Sequence, residues 1–141
     1  MSSNSAKIRL AAPQVIGWTM TAFVALFLAF DAAIKLLVIR QVVEAFEQIG
    51  YPISLAHGLG LLEVLILVLY LTPQTAVLGA VLLTGLLGGA VASHLRLQDP
   101  LFSHVLFGAY VGVLAWGGLY LRDARLRRLL PLRSLAPRPA A

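Results

Sequence analysis

TAVLGAVLLTGLLGGAVASHLRLQDPLFSH, residues 75–104, decides the fold. It opens as an apolar run of about twenty residues, enough for one bilayer crossing. Gly85, Gly88 and Gly89 lie in its middle, at a spacing that lets a neighbouring helix approach closely. The run breaks at a short polar hairpin carrying His94, Arg96, Asp99 and Pro100, then re-enters an apolar stretch with His104. In so apolar a chain, histidines and an aspartate gathered around one turn need an explanation.

The whole chain agrees with that stretch. Its 141 residues are 60% hydrophobic and 12% charged, whereas soluble domains run at about half apolar and a quarter charged. The composition predicts an all-α membrane protein, and the length permits one bundle with no appended soluble domain. With no cysteine present, disulfide exchange, thiolate nucleophiles and thiolate metal sites are excluded together. Lys7 and Arg9 precede an apolar segment that is long enough to span and lacks a small-residue cleavage site, so it does not read as a cleaved signal.

In chain order, residues 1–13 read as a flexible polar leader and residues 14–39 as the first span. Asp31 and Lys35 stand four apart near its end, on one helix face. Residues 40–50 differ. Val42, Val43, Phe46 and Ile49 recur at helical spacing, with Arg40, Gln41, Glu44, Glu47 and Gln48 opposite. Too short and too charged to span, this stretch reads as an amphipathic helix in the interface, stopped at Gly50-Tyr51-Pro52. Residues 54–71 form the second span around Glu63, residues 75–95 the third and residues 101–121 the fourth. The last carries Gly108 and Gly112, a small-xxx-small pair suited to packing or to a homodimer, with Trp116 and Tyr120 as interface anchors. The prediction is a four-transmembrane-helix bundle.

Residues 122–141 form a basic tail holding six of the eleven Lys and Arg residues. It reads as a topology signal in contact with anionic lipid. No aromatic interleaving accompanies it, which argues against nucleic acid as a partner. Basic residues at both ends, as an even number of spans requires, place both termini in the cytoplasm. The interface helix and the His94–Pro100 turn then face outward, toward the periplasm in a Gram-negative host.

At 1.5 Å per residue, Glu63 lies roughly 13 Å below the outer end of its span and Asp31 roughly 10 Å from the end of its own. A charge at helix centre costs about 2.5–3.5 kcal/mol on insertion scales, so Asp31, Lys35 and Glu63 require partners or water. One reading is a closed lock, with Asp31 and Lys35 neutralising each other and Glu63 protonated or hydrogen-bonded between helices. The other is an outward-facing polar pocket lined by Asp31, Lys35, Glu63, His94 and His104.

Carboxylates and imidazoles of that pocket can ligate a divalent metal, in which case Glu63, His94 and His104 are the candidates. The Glu-x-x-His signature of di-metal bundles is missing, so a metal is the weaker choice. The same residues can relay protons or hold the head group of a quinone or another amphiphile. His57, near the end of its span, reads as an interfacial residue. Asp99-Pro100 reads first as a helix start, with Arg96 pairing to Asp99 at the surface. No Gly-rich phosphate loop, nucleophile elbow or HExxH is present.

Several of these stretches together resemble the DoxX-like family of small four-helix bacterial membrane proteins. The likeness rests on FDAAIK (30–35), FEQIGYP (46–52), LGLLEVL (59–65), the 75–104 block and LAWGGLYLRD (114–123). GGAVASHLR-x-x-DP-x-x-SH is its specific part. The resemblance implies four transmembrane helices and points to Lys35, Glu63, His94, Asp99 and His104. It implies membrane redox work in company with a partner subunit, as in a subunit similar to that of a thiosulfate:quinone oxidoreductase. Distant relatives that act in receptor assembly imply a chaperone-like role instead. With no cysteine, a thiol-based version is out of reach.

Overall fold

The computed structural model describes residues 12–129, and all regular structure among them is helical. The order is α1 (Ala12–Leu37), α2 (Arg40–Ile49), α3 (Leu55–Leu71), α4 (Ala76–Arg96), a π turn (Leu101–Val105), α5 (Phe107–Arg122) and α6 (Ala124–Leu129). Most of the expected leader and the end of the expected tail lie outside the described residues. Within them, α1 begins at Ala12 with Pro13 in its first turn, where a missing N–H costs nothing. The basic tail begins as ordered helix: Asp123 Oδ1 accepts the Arg125 backbone N–H at 2.7 Å and so caps α6.

Among the described residues, three stretches are long and apolar enough to cross a membrane: Ala12–Leu37, Ala76–Arg96 and Leu101–Arg122. At 17 residues, α3 is shorter, though equally apolar. Both α1 and α4 pack against α3 and α5, so these four helices close a ring. Val24, Leu28, Ile66, Leu83, Val111 and Leu119 fill its axis, while many large apolar side chains, Phe23, Leu26 and Val113 among them, point outward. An apolar exterior of that extent belongs in lipid.

The ring is tightest at the α6 end. A Cβ on Gly17 would come within 2.9 Å of the Arg122 nitrogen and of the Gly118 carbonyl oxygen, so α1 and α5 meet backbone to backbone. Thr21 Oγ1 donates to the Gly17 carbonyl at 2.9 Å, and Tyr70 Oη to the Ala115 carbonyl at 2.8 Å. Arg122 donates to the Tyr70 carbonyl at 2.9 Å, with its guanidinium 4.8 Å from the Trp18 ring centroid.

The glycines of α4 do something else. Among the described residues, nothing from another element lies within 4 Å of a Cβ built at Gly85, Gly88 or Gly89. The close helix approach expected there is absent, because α3 and α5 meet α4 on its other faces. Gly108 of α5 instead takes Leu87 and Val91 of α4, at 3.1 and 3.0 Å, and Gly112 faces Leu87 at 3.7 Å. That small-xxx-small pair is used inside the bundle. Trp116 also ties α5 to α4, donating to Thr84 Oγ1 at 2.9 Å on the exposed side of their seam.

Candidate functional site

At the α2 end the same helices part around a cavity of about 520 Å³. Its walls are mostly apolar: Phe27 and Leu28 from α1, Leu59 from α3, Leu86 and Leu87 from α4, and Phe107 from α5. Gly85 and Gly89 line it too. Their missing side chains are part of the space.

The charged floor follows from helix geometry. Asp31 and Lys35 share a face of α1 through their spacing of four. Gly60, one turn before Glu63, brings α3 against α1: a Cβ there would lie 2.9 Å from Leu36 Cγ and 3.2 Å from the Ala32 carbonyl oxygen. The Lys35 side chain therefore spans the gap, donating to Asp31 Oδ2 at 2.5 Å and to Glu63 Oε1 at 2.6 Å. Glu63 is 3% exposed and Asp31 29%. Glu63 Oε2 is buried with no hydrogen-bond partner. One ammonium thus serves two carboxyl groups, and the pair it makes with Glu63 is out of water, where losing a partner is costly.

The mouth is built from the hairpin. His94 Nδ1 and Asp99 Oδ2 lie 2.6 Å apart, and His104 Nδ1 is 2.8 Å from Ser103 Oγ. Both imidazoles have one nitrogen engaged by a neighbour, and their rings meet edge to face at 5.9 Å. A π turn carries Ser103 and His104, and such turns recur at functional sites. Asp99 does not start the next helix, whose first turn has no side-chain cap, and Arg96 does not pair with Asp99. Pro100 precedes that turn with extended ψ, leaving Asp99 free to turn back onto His94. Arg96 reaches the Ile49 carbonyl at the end of α2.

That contact helps to hold α2 across the cavity, where Gln41, Val42, Ala45, Phe46 and Ile49 line one wall. Gly50 ends α2 at φ 78°, with the Gly50 and Tyr51 N–H groups bonded to the Glu47 and Phe46 carbonyls, as a Schellman stop requires. Tyr51 Oη then meets Ser93 Oγ at 2.7 Å. Since Ser93 Oγ donates to the Gly89 carbonyl, the Tyr51 hydroxyl is the donor. At the other end of α2, Val38 holds φ 48°, a conformation that a β-branched residue adopts only under constraint.

The cavity brings together Asp31, Lys35, Glu63, His94 and His104. His57 is exposed on α3 and does not line it. The metal set Glu63, His94 and His104 is not assembled: Glu63 is tied to Lys35, and among the described residues no three His, Asp or Glu side chains gather as ligands. Sequence reasoning missed Tyr51, Ser93 and the pinning role of Arg96. Only the polar character of Ser93 inside an apolar run could have flagged it.

Neither the curated proteins nor the solved structures contain a match to the chain. The model of the DoxX-like family matches residues 19–118, which takes in α1 from its first third, the whole cavity and most of α5. With that match and with helices built to lie in a bilayer, the chain is a membrane protein and belongs to the DoxX-like family.

Proposed function

We propose that the protein is a small-ligand subunit of the bacterial inner membrane, taking an amphiphile such as a quinone into the cavity beneath α2. In this reading α3 is the fourth crossing: its 17 residues fall at the short end of what spans a bilayer. Both termini are cytoplasmic, α2 lies in the outer interface, and the cavity opens outward. The apolar walls hold the body of the ligand, Lys35 orients its head group, and Glu63 with the two imidazoles handles protons, in company with a redox partner subunit.

The observation that carries this reading is an unfilled space of about 520 Å³ whose floor is the Lys35–Asp31–Glu63 cluster. Ionisable groups at membrane depth mark functional sites by default. A mainly apolar concavity with a few converging polar groups is the usual form of a ligand site.

Purification in mild detergent followed by native mass spectrometry tests it. The wild type is expected to retain a small organic molecule that Glu63→Gln loses while still folding. A bare wild-type chain, or equal retention by the variant, overturns it. Orientation has its own test, since the chain contains no cysteine. A membrane-impermeant maleimide should label Gln98→Cys from outside whole cells and leave Arg128→Cys unlabelled.

The assembly reading has one specific observation in its favour: Lys35 already binds both carboxyl groups, as a structural lock would. In that case Lys35→Met releases a co-purifying subunit, and no small molecule is found.

A further inference from the structure

The hydrogen-bonding capacity of the cavity floor is unevenly used. Lys35 carries three N–H donors, and two are spent on Asp31 Oδ2 and Glu63 Oε1. Against the one that remains stand surplus acceptors. Asp31, 29% exposed at the cavity wall, engages Lys35 through Oδ2 alone and offers its other oxygen to the cavity, while Glu63 Oε2, also without a partner, is enclosed in a side chain 3% exposed. At the mouth, Asp99 occupies His94 Nδ1 and leaves Nε2 of a cavity-lining ring without a bond.

We infer that the ligand of this cavity presents a hydroxyl head group, an alcohol or a phenol, that accepts from Lys35 and donates to the carboxyl cluster. The inference rests on the ligand-binding reading above and narrows it to a chemical class. A hydroxyl both gives and takes a hydrogen bond, so it matches one spare donor beside spare acceptors. A carbonyl, as on an oxidised quinone, or an ether can only accept. It would engage Lys35 and leave the free Asp31 oxygen covered but unserved, a deficit that is costly once the ligand has displaced water. A carboxylate would add a third acid to a cluster with one cation. An ammonium has nothing to accept the remaining Lys35 proton. On this bookkeeping the reduced, hydroxyl-bearing form of a quinone-type molecule binds better than the oxidised form.

The test uses a matched pair of probes, 4-octylphenol and its methyl ether 4-octylanisole, which share an apolar body and differ in the donated proton. Equilibrium binding is measured on the full chain in lipid nanodiscs, with uptake by protein-free nanodiscs subtracted. The phenol is expected to bind about tenfold or more tightly than the ether, the value of a hydrogen bond to a charged group. That ratio should shrink several-fold in Glu63→Gln. Asp31→Asn, at a half-buried position, gives the same reading should Glu63→Gln fail to fold. Equal binding of the two probes, or tighter binding of the ether, overturns the hydroxyl assignment and leaves the ligand-binding reading standing. Binding of neither overturns the ligand-binding reading itself.

Discussion

The two ends of the bundle use the same helices for opposite ends. Toward α6, α1 and α5 touch through the Gly17 and Gly118 backbones, Tyr70 is fully enclosed, and its hydroxyl is bonded to α5. Toward α2 the helices leave about 520 Å³ unfilled, and the acid and base side chains that are expensive in a membrane stand around that space. A bundle in lipid gains little from burying apolar surface, because lipid tails are as apolar as the helices, so cohesion comes from close packing and hydrogen bonds. The packed end supplies that cohesion. The open end can then carry a void and charged groups without the ring coming apart.

If this division is right, the ion cluster is the main tie at the floor of the open end, and breaking it should have the largest effect. Lys35→Met leaves Glu63 buried with no cation, and removal of one partner of a buried pair costs about 3–5 kcal/mol. Thermal unfolding in mild detergent should show a large drop in Tm, most of it recovered when Glu63→Leu is added. Failure of the second change to rescue the first would mean that Lys35 stabilises through something other than its charge.

The packed end should respond to a single methyl group. A Cβ at Gly118 meets Thr21 Oγ1 at 2.9 Å and the Gly17 carbonyl oxygen at 3.0 Å, neither of which is the far end of a flexible chain. Gly118→Ala is therefore expected to cost about 1–3 kcal/mol by overpacking, read in the same unfolding measurement. A neutral result would show that α1 and α5 can slide apart, and the contrast between the two ends would weaken.

A smaller and more local effect is expected where α2 covers the cavity. Arg96 holds its last carbonyl, and Val38 supplies a constrained turn at its start. Arg96→Met should raise amide hydrogen exchange over residues 40–49 by about tenfold, from the loss of a charge-assisted hydrogen bond, with α3 and α5 unchanged. Exchange rising everywhere would make α2 part of the core rather than a cover.

How far the sequence disclosed this division depends on the residue type. Charges were legible. The cost of ionisation at depth applies wherever the bundle closes, so Asp31, Lys35, Glu63, His94 and His104 could be singled out, as an outward pocket or a closed lock, and the structure sets all five around one cavity. Gly50 was legible as a stop because a left-handed cap depends only on local backbone. Glycines inside spans were not, since their role is set by what lies opposite. Gly17, Gly60, Gly79 and Gly118 bring a neighbouring helix within 3 Å of their missing Cβ atoms. Gly85, Gly88 and Gly89, the more conspicuous cluster, make no such contact among the described residues. Asp99 misled for a related reason: Asp-Pro signals a helix start, yet the carboxyl group turns back to His94, a partner that exists only once the hairpin has formed.

The smallest predicted effect separates the α4 glycines from one another. A glycine inside a helix forfeits about 0.5–1 kcal/mol relative to alanine, so an open one needs a reason. Gly89 has one, because it lines the cavity. Gly89→Leu would place a side chain in the cavity, and on the proposed ligand-binding function it is expected to abolish retention of a small molecule while leaving Tm unchanged or slightly higher. Gly88 is exposed, and among the described residues nothing from another element lies within 4 Å of its missing Cβ. If lipid alone faces it, Gly88→Ala should stabilise by about 0.5–1 kcal/mol and leave ligand retention untouched. If it destabilises instead, another helix must sit against Gly88 in the membrane. The open face of α4 would then be a docking surface for a partner subunit or a second copy, and the expectation of close approach at this glycine would hold between chains although it fails within one.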